Sequence, residues 1–550
     1  MVGMISGLIM LCLMSFWGFI LVNAWVMGQG LEMFWGIFGV NGENLGLGFG
    51  SQSEGSVMVF SVVFVGILVF CFSSYYMSSI CGLGGFNLLV LVFVLGVLVM
   101  LSASSGYSLL IGWEILGVVS FLLIGFYGSR SSWGSALVTV LMNRVGDVGL
   151  VLLLWVLYKS QFWGPWGVVA SFTAVFVGLC LVTKSAQFPF GGWLPMAMAA
   201  PTPVSAFVHS STLVIAGLYV AWVMESAFDS KVWAVLGILG LCTLLSAGFS
   251  AVSDADIKKV VAYSTSLHLG LMVVIFVFVG GLLMGFHMNV HAYFKSILFI
   301  GVGMVILAIF HDQDFRGFGV GLKYGGLMSI LCMSSMYSLV GLTYFSGWVT
   351  KDGFLELSTS EFLGALVWLL LMWALGSSGA YSIKLLSSVV KDSAMLNLVI
   401  MEMGSSMLYF SMTLVLGVVV SIIAGSVIGF WVSFGGGELI ISGLEKSLYV
   451  LILVVWLALW IRSGSMGLGS SVNFYLQSGV QVLLVSGACK GMSVLWSIVE
   501  GVWLEGLFKS GMTLVESWQV WLTGILVYLD WLFVVLVVSV GAGLGIFMIC

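Results

Sequence analysis

The chain has 550 residues, of which 61% are hydrophobic and only 7% are charged, and its formal net charge is −5. Because soluble domains carry about 25% charged residues, this composition excludes a soluble globular protein, and the small net charge gives no indication of a nucleic-acid partner. Apolar runs of about 18 residues or more recur along the chain, whereas a transmembrane barrel has alternating segments of about 10 residues. The composition therefore predicts an all-α polytopic membrane protein.

The apolar runs predict about 15 transmembrane helices. In the first half of the chain these are Ile5–Met27, Val57–Phe72, Asn87–Ser102, Tyr107–Tyr127, Trp133–Tyr158, Trp166–Lys184 and Val204–Met224. In the second half they are Val232–Val252, Ile257–Val279, Leu282–Phe310, Leu327–Phe345, Phe362–Gly376, Leu398–Ser421, Leu448–Ile461 and Leu522–Cys550. The Gly-rich stretch Glu32–Glu54 is predicted to be a polar connection.

Residues Lys490–Trp521 are amphipathic rather than uniformly apolar. Glu505, Lys509 and Glu516 share one helical face, which predicts a lateral helix along the membrane or a partner. The chain is therefore expected to contain an N-terminal span and connection (1–55), a helical bundle (56–465), a lateral amphipathic helix region (466–521) and a C-terminal transmembrane anchor (522–550).

Two of the predicted spans are interrupted. Four of the five prolines lie between residues 189 and 203, and proline cannot continue a helix. The second interruption is the segment SGWVTKDG, at residues 346–353. The two lie roughly half the spanning region apart, which is typical of inverted-repeat transporters, whose discontinuous helices form ion sites near the membrane midplane.

The helix Gly285–Phe299 carries the most specific internal signal. His287, His291 and Lys295 are four residues apart, so they line one helix face over about 12 Å. A charge at the centre of a bilayer costs about 2.5–3.5 kcal/mol on insertion scales. Three titratable side chains in register are therefore hard to explain by packing, and we interpret them as part of a route for a charge.

Four further charged side chains lie inside predicted spans. Glu114 is near the middle of one span and Lys184 ends another, so the two could form an opposite-charge pair. Each alone also fits a structural role, Glu114 as a hydrogen-bonded carboxylate and Lys184 as a lysine that extends to the interface. Arg144 and Asp147, three residues apart on one helix, predict a structural ion pair.

Three more polar sites accompany the interruptions and a span end. His209 opens the polar run HSST, either as a satisfied core histidine or as a proton carrier beside hydroxyls. Lys351 and Asp352 lie in the second interruption, where exposed backbone can satisfy a charge; a plain loop ion pair is the alternative. Lys258 and Lys259 begin a span and predict a water-facing helix end.

A buried carboxylate and lysine can control a proton. A pair about 6 Å apart at an effective dielectric constant near 20 gains about 3 kcal/mol, whereas moving a proton against about 180 mV costs about 4 kcal/mol. Opening a Glu114–Lys184 pair would supply much of that energy. The sequence contains no phosphate-binding loop and no haem or iron–sulfur spacing, and its eight cysteines are scattered, so we expect no metal or cofactor in this chain.

Seven segments between about Ser56 and Gly353 carry a family resemblance. They are GWEILGVVSFLLI, NRVGD, KSAQ, WLPMAMAAPTPVSAFVHSSTLVIAG, IKKVVAYSTSLHLGLM, HAYFKSILF and GWVTKDG. In this order they resemble the subunit 5 family of mitochondrial NADH–ubiquinone oxidoreductase (complex I) rather than its antiporter-like sister subunits 2 and 4. His268 stands where the family often has Gln, and Thr350 where Ser is common. The family also has one more span, which predicts a missing or shortened first helix.

The resemblance implies a role for each candidate residue. The proton pathway would comprise Glu114, Lys184, His209, His287, His291, Lys295, Lys351 and Asp352. Glu114 and Lys184 would be the regulated pair, and His209 would belong to the route beyond them. Lys351 and Asp352 would lie at the distal end, where protons exchange with bulk water.

The resemblance also implies a location and partners. The chain would be a proton-translocating, antiporter-like subunit at the tip of the membrane arm in the mitochondrial inner membrane. Its lateral helix would contact subunits 4 and 2, while NADH, FMN, iron–sulfur clusters and ubiquinone would be bound by other subunits. The excess of amino acids with G- and T-rich codons fits a gene in the organelle genome.

Two other classes of protein remain open. The large subunit of a multisubunit cation/proton antiporter shares the Glu, Lys and His set, but should have a longer C-terminal extension. A non-conducting membrane scaffold would not need Glu114, Lys184 and the histidine ladder together.

Overall fold

The structure of the protein is a computed structural model that describes residues 32–40, 43–50, 53–77, 83–160, 166–225, 230–308, 313–314, 326–342, 345–360, 365–390 and Val419. The span predicted before residue 32 lies outside the described residues. So, apart from Val419, do the spans, lateral helix and terminal anchor predicted after residue 390. The shortened first helix and the division into four regions therefore stay predictions.

The stretch predicted to be a polar connection forms a β-hairpin. Strand β1 (Glu32–Val40) pairs antiparallel with β2 (Glu43–Gly50), and the register runs from Val40 opposite Glu43 to Glu32 opposite Gly50. The sequence predicts a connection here but not its two strands, although Asn-Gly stands between two largely apolar runs. That dipeptide is the strongest short-range hairpin signal.

The rest of the described chain is helical. The helices are α1 (Ser53–Tyr76), α2 (Leu83–Leu101), α3 (Gly106–Ile124), α4 (Arg130–Ser160), α5 (Trp166–Lys184), α6 (Trp193–Met196), α7 (Thr202–Phe207), α8 (Leu213–Val223), α9 (Ser230–Ser253), α10 (Ile257–Phe278), α11 (Gly281–Ala308), α12 (Gly326–Val340), α13 (Ser346–Ser360) and α14 (Ala365–Val390). Three 3-10 turns (Gly125–Tyr127, Phe190–Gly192 and Ala197–Ala199) and a π-helical turn (Val208–Thr212) connect some of them.

Eight segments within the described ranges are long and apolar enough to cross a membrane. They are Val57–Tyr76, Gly84–Leu101, Gly106–Tyr127, Arg130–Val156, Thr202–Val223, Lys231–Ser253, Ile257–Phe278 and Gly281–Leu307. A helical membrane fold is therefore confirmed for this part of the chain. The segments Thr202–Val223, Ile257–Phe278 and Gly281–Leu307 are almost entirely buried among the others, so their polar side chains face protein rather than lipid.

The first interruption lies where the prolines predict it. Helix α5 ends at Lys184, and Ala186 has a left-handed φ of 52°. A non-glycine residue in that region is uncommon, and here it turns the chain into the proline segment. Trp193 Nε1 donates to the carbonyl oxygen of Thr183 at 3.1 Å, which also accepts from the Ala186 backbone N–H at 3.4 Å, so a tryptophan indole helps to satisfy a carbonyl at the end of the helix.

The second interruption lies earlier than predicted. Helix α12 ends at Val340, Gly341 adopts a φ of 79°, and α13 begins at Ser346. The segment SGWVTKDG is therefore the first half of a helix and not a break. The prediction placed the break here because the segment contains glycines and charged residues. The glycine with the left-handed backbone is Gly341, five residues before the helix begins at Ser346.

Helix α11, which carries the histidine ladder, is held at its beginning by α8. An added Cβ at either Gly281 or Gly285 would lie 2.2 Å from the Trp222 indole, so only glycine permits this approach. Glu225 Oε1 accepts a hydrogen bond from the Gly281 backbone N–H at 3.2 Å. A carboxylate at this position stabilises the positive end of the helix dipole.

Candidate functional site

Four charged side chains that were expected to form two pairs form one network instead. Arg144 Nη1 lies 2.8 Å from Glu114 Oε2 and 3.3 Å from Asp147 Oδ2. Asp147 Oδ1 lies 3.9 Å from Lys184 Nζ. Arg144 and Asp147 are one turn apart on α4, so this helix connects Glu114 of α3 with Lys184 of α5.

The structure corrects the direct pairing of Glu114 with Lys184. Lys184 has its ion pair with Asp147, and Glu114 has its ion pair with Arg144. The predicted Arg144–Asp147 pair is present, but it is part of the same network. The physical reason is that α4 packs between the other two helices, which no spacing within one helix can reveal.

The network runs from an exposed end to a buried end. The side chains of Arg144, Glu114, Asp147 and Lys184 are 46%, 34%, 9% and 1% exposed. Trp113 Nε1 donates to Asp147 Oδ1 at 2.6 Å, and its ring centre lies 4.7 Å from Lys184 Nζ. Since no described residue accepts a hydrogen bond from Lys184 Nζ, one carboxylate and one aromatic face stabilise its charge.

His209 lies on the π-helical turn that follows the first interruption. It is buried, its ring centre lies 6.1 Å from that of Trp193, and neither ring nitrogen has a hydrogen-bond partner in the described part of the chain. The neighbouring hydroxyls do not turn toward it. Ser211 Oγ and Thr212 Oγ1 each donate to the carbonyl oxygen of Phe207 at 3.1 Å, so these hydroxyls satisfy backbone carbonyls of the irregular turn.

The ladder of α11 is entirely buried, as its spacing suggested. His287, His291 and Lys295 are each 0% exposed, and the two histidine ring centres lie 6.5 Å apart. Lys295 Nζ donates to Ser264 Oγ of α10. Helix α11 packs against the π-helical turn that carries His209.

A third histidine joins the ladder from the neighbouring helix. His268 of α10 stacks on His287 with ring centres 5.4 Å apart, and its ring centre lies 5.5 Å from that of His291. His268 Nδ1 lies 3.2 Å from His287 Nε2. In the sequence, His268 stands out only as a departure from a family pattern. Its spacing of four residues from Ser264 on a predicted span was a signal that could have placed it on the polar face.

Lys351 lies on α13 and reaches back to the second interruption. Its Nζ donates to the carbonyl oxygens of Leu339 at 2.8 Å and Val340 at 3.0 Å, and it lies 3.5 Å from Ser378 Oγ of α14. Those carbonyls end α12, where a helix lacks internal donors and carries partial negative charge. Asp352 belongs to the same helix, and its side chain lies outside the described residues.

Lys258 also differs from its prediction. Lys259 is half-exposed and pairs with Asp256, as expected for a helix end in water. Lys258 is only 5% exposed and donates to the carbonyl oxygen of Ala200, at 3.4 Å, in the first interruption. Two buried lysines, Lys258 and Lys351, thus satisfy backbone carbonyls at the two interruptions, as expected where discontinuous backbone lies inside a protein.

The arrangement brings charges and proton-binding nitrogens together without a metal site. Although three histidines lie side by side, no group of three or more His, Cys, Asp or Glu side chains in the described ranges could hold a metal ion. Instead, the ionisable groups form two clusters: the network from the exposed Arg144 to the buried Lys184, and the buried histidines where α10 and α11 meet. Buried ionisable groups of this kind can hold a charge or bind a proton.

Comparison with known proteins gives matches along most of the chain. Residues 103–378 match the family "NADH:quinone oxidoreductase/Mrp antiporter, TM". The chain is 34% identical over 490 residues to NADH-ubiquinone oxidoreductase chain 5 of Mytilus edulis, covering 82% of this chain and 84% of that protein. It is 35% identical over 364 residues to the protein of the same name from Lumbricus terrestris, covering 65% of this chain but only 63% of that protein's length.

A solved structure has the same fold. The Mrp complex from a Dietzia species superposes with a TM-score of 0.72 at 22% identity, over 95% of this chain and 62% of the matched chain. At that identity the likeness concerns the fold alone. The matches in sequence establish more: the chain belongs to the NADH:quinone oxidoreductase/Mrp antiporter family, and within it to the chain 5 group of NADH-ubiquinone oxidoreductase.

Proposed function

We propose that this chain is the antiporter-like, proton-translocating membrane subunit of a respiratory NADH:ubiquinone oxidoreductase. One observation carries the proposal: ionisable side chains on successive helices, from Glu114 through Lys184 to Lys351, form a mostly buried row. Packing alone gives no reason to bury these groups, because each charge in the membrane interior costs about 2.5–3.5 kcal/mol on insertion scales.

The pathway has three sections. The network of Glu114 and Lys184 is the regulated entry, with Arg144 and Asp147 as its connecting pair. His209, His287, His291 and Lys295 form the central axis, and Lys351 and Asp352 form the distal end. At an effective dielectric constant near 20, the 3.9 Å contact between Asp147 and Lys184 is worth about 4 kcal/mol. A proton moving against about 180 mV needs about the same energy.

The redox chemistry belongs to other subunits in this proposal. NADH, FMN, iron–sulfur clusters and ubiquinone are bound elsewhere, and quinone reduction drives the opening and closing of ion pairs here. The chain lies in the mitochondrial inner membrane as a product of the organelle genome. Its C-terminal lateral helix contacts the antiporter-like subunits 4 and 2. The names of the matched NADH-ubiquinone oxidoreductase chains support this assignment.

Purification of the intact assembly tests the proposal. Mild detergent extraction should yield this chain in a flavin-containing complex that oxidises NADH, reduces ubiquinone and acidifies or alkalinises sealed vesicles as it does so. The rival function is that of a cation/proton antiporter, since the description of the matched family also names the Mrp antiporter. It would be supported if the chain were found in an assembly without flavin that exchanges Na⁺ for protons without NADH, and that outcome would overturn the proposal.

A further inference from the structure

His287 is the one histidine of the ladder with both of its ring nitrogens in hydrogen-bond contact with described side chains. Its Nε2 lies 3.2 Å from His268 Nδ1, and its Nδ1 lies 2.8 Å from Thr350 Oγ1. His268, His287 and Thr350 come from three different helices, α10, α11 and α13, and all three are 0% exposed. The three side chains therefore form a short hydrogen-bonded chain inside the protein. Thr350, at one end of it, directly precedes Lys351 in the sequence.

The threonine offers a direction for this chain. Thr350 Oγ1 lies 3.1 Å from the carbonyl oxygen of Gly347, and we assign its one hydroxyl hydrogen to that oxygen. In this assignment Thr350 accepts a hydrogen bond from His287, whose Nδ1 carries the proton. A neutral imidazole has one N–H and one lone pair, so His287 Nε2 is an acceptor. His268 Nδ1 must then be the donor in the bond between the two rings.

The same reasoning leaves a lone pair on His268 Nε2. This nitrogen is buried and has no hydrogen-bond partner within the described residues, while the ring of His291 lies 5.5 Å away, centre to centre. A buried basic nitrogen without a donor is a site that can take up a proton. The nearest ionisable side chain of α11 on this side of His268 is His291, and Lys295 follows one turn further along the same helix.

We propose that His268 is a proton carrier of this pathway and that Thr350 is a positioning residue that fixes the tautomers of His268 and His287. Protonated His291 gives its proton to His268 Nε2 and becomes neutral. The N–H bond at His268 Nδ1 then breaks as one forms at His287 Nε2, and the proton on His287 Nδ1 leaves, past Thr350, for the neutral amine of Lys351, which becomes charged. One proton thus moves from His291 to Lys351, and charge is conserved at every step.

The transfer leaves each ring in its other tautomer. Both rings then carry their hydrogen on Nε2. Each ring must return to the tautomer with the hydrogen on Nδ1 before a second proton can follow in the same direction. The pair therefore carries one proton per reset and cannot conduct a continuous current. Reverse flow is opposed in the resting state, because His287 presents an N–H and not a lone pair to the Thr350 side.

The inference rests on the proposed function, and the test separates the two. Variants are compared in the assembled NADH-oxidising complex in sealed proteoliposomes, by protons moved per NADH oxidised. His268→Leu keeps a buried side chain of similar volume but has no atom that can take up a proton, and Thr350→Val keeps the shape but cannot accept a hydrogen bond. Both should lose proton translocation through this chain while assembly on native gels stays normal.

Two variants serve as controls. Thr350→Ser retains the hydroxyl acceptor and should restore the translocation that Thr350→Val loses. Thr265→Val makes the same chemical change on α10, at a hydroxyl that donates to the local carbonyl oxygen of Ala262, and should translocate as the unmodified chain does. The double variant of His268→Leu and His287→Gln should lose no more translocation than either single variant, because carriers in series fail together. If the two substitutions instead damaged the structure independently, their losses of translocation would add up.

The outcomes distinguish the inference from the function. If Lys295→Met stops translocation but His268→Leu and Thr350→Val translocate normally, the transfer through His268 and His287 is refuted and the proposed function stands. If Lys295→Met also translocates normally, the proposed function itself fails. Should His268→Leu prevent assembly, the Thr350→Val and Thr350→Ser pair decides, and equal translocation by these two would overturn the inference.

Discussion

Replacing Asp147 by Asn removes the carboxylate that pairs with Lys184 and little else. Asp147 Oδ1 lies 3.9 Å from Lys184 Nζ, and Trp113 Nε1 donates to the same oxygen at 2.6 Å. An Asn side chain has the same shape, and its carbonyl oxygen can still accept from Trp113. Arg144 loses a partner, but it is half-exposed and keeps Glu114, so the change there is screened by solvent.

Lys184 loses much more electrostatic stabilisation than Arg144 does. At an effective dielectric constant near 20, the contact stabilises the charged lysine by about 4 kcal/mol. The protonated form would therefore become about a thousandfold less populated relative to the neutral form. Lys184 has no hydrogen-bond acceptor among the described residues that could compensate. It should remain neutral throughout the cycle, so it can no longer alternate between holding and releasing a proton.

The assay is the initial rate of proton uptake by proteoliposomes, divided by the rate of NADH oxidation. Asp147→Asn should lower this ratio strongly, while NADH oxidation in the presence of an uncoupler remains measurable. Asp256→Asn is the matched control, because it neutralises the partner of the half-exposed Lys259 and should leave the ratio unchanged. A normal ratio for Asp147→Asn would refute the reasoning that this carboxylate controls the charge on Lys184.

Two further variants test the packing and the exposed end of the network. Gly285→Val places a side chain 2.2 Å from the Trp222 indole, and overpacking of this kind costs about 1–3 kcal/mol. It should lower the temperature of heat inactivation, whereas Gly117→Ala, with no atom within 4 Å of the added Cβ, should not. Glu114→Gln should lower the proton-to-NADH ratio less than Asp147→Asn does, since Glu114 contacts Lys184 only through the intervening pair; an equal or larger loss would contradict this order.

The sequence predicts those parts of the site that lie on one helix. The four-residue spacing of His287, His291 and Lys295 places them on one face, and the structure has all three buried. The clustered prolines likewise locate the first interruption, because the proline ring is incompatible with a continuous helix wherever it occurs. Each of these inferences needs only local geometry, so it does not depend on how the helices pack.

Contacts between helices could not be predicted in the same way. Glu114 and Lys184 were paired by charge alone, whereas the structure inserts α4 between them, with Arg144 and Asp147 as intermediates. His268 was not assigned because nothing in its own helix shows that it faces His287. A single sequence does not say which helices are neighbours. The partner of a buried charge depends on which helices pack together, so it could not be predicted.

Lys258 illustrates a second limit. A lysine at the start of a span is normally assigned to water, and its neighbour Lys259 follows that rule. Lys258 is buried because the first interruption offers the carbonyl oxygen of Ala200 at 3.4 Å. The acceptor exists only through the irregular backbone near the prolines, 58 positions earlier in the chain. A hydropathy scale gives every lysine the same value, so it cannot distinguish the buried Lys258 from the exposed Lys259.

The most direct measurement is proton translocation by the assembled complex after Lys295→Met. Lys295 is 0% exposed and donates to Ser264 within the central row, whereas Lys259, half-exposed at a helix end, provides a matched Lys→Met control. The account predicts that Lys295→Met assembles but moves fewer protons per NADH than the unmodified complex, and that Lys259→Met moves the normal number. A normal proton-to-NADH ratio for an assembled Lys295→Met complex would contradict the claim that the buried row carries the proton.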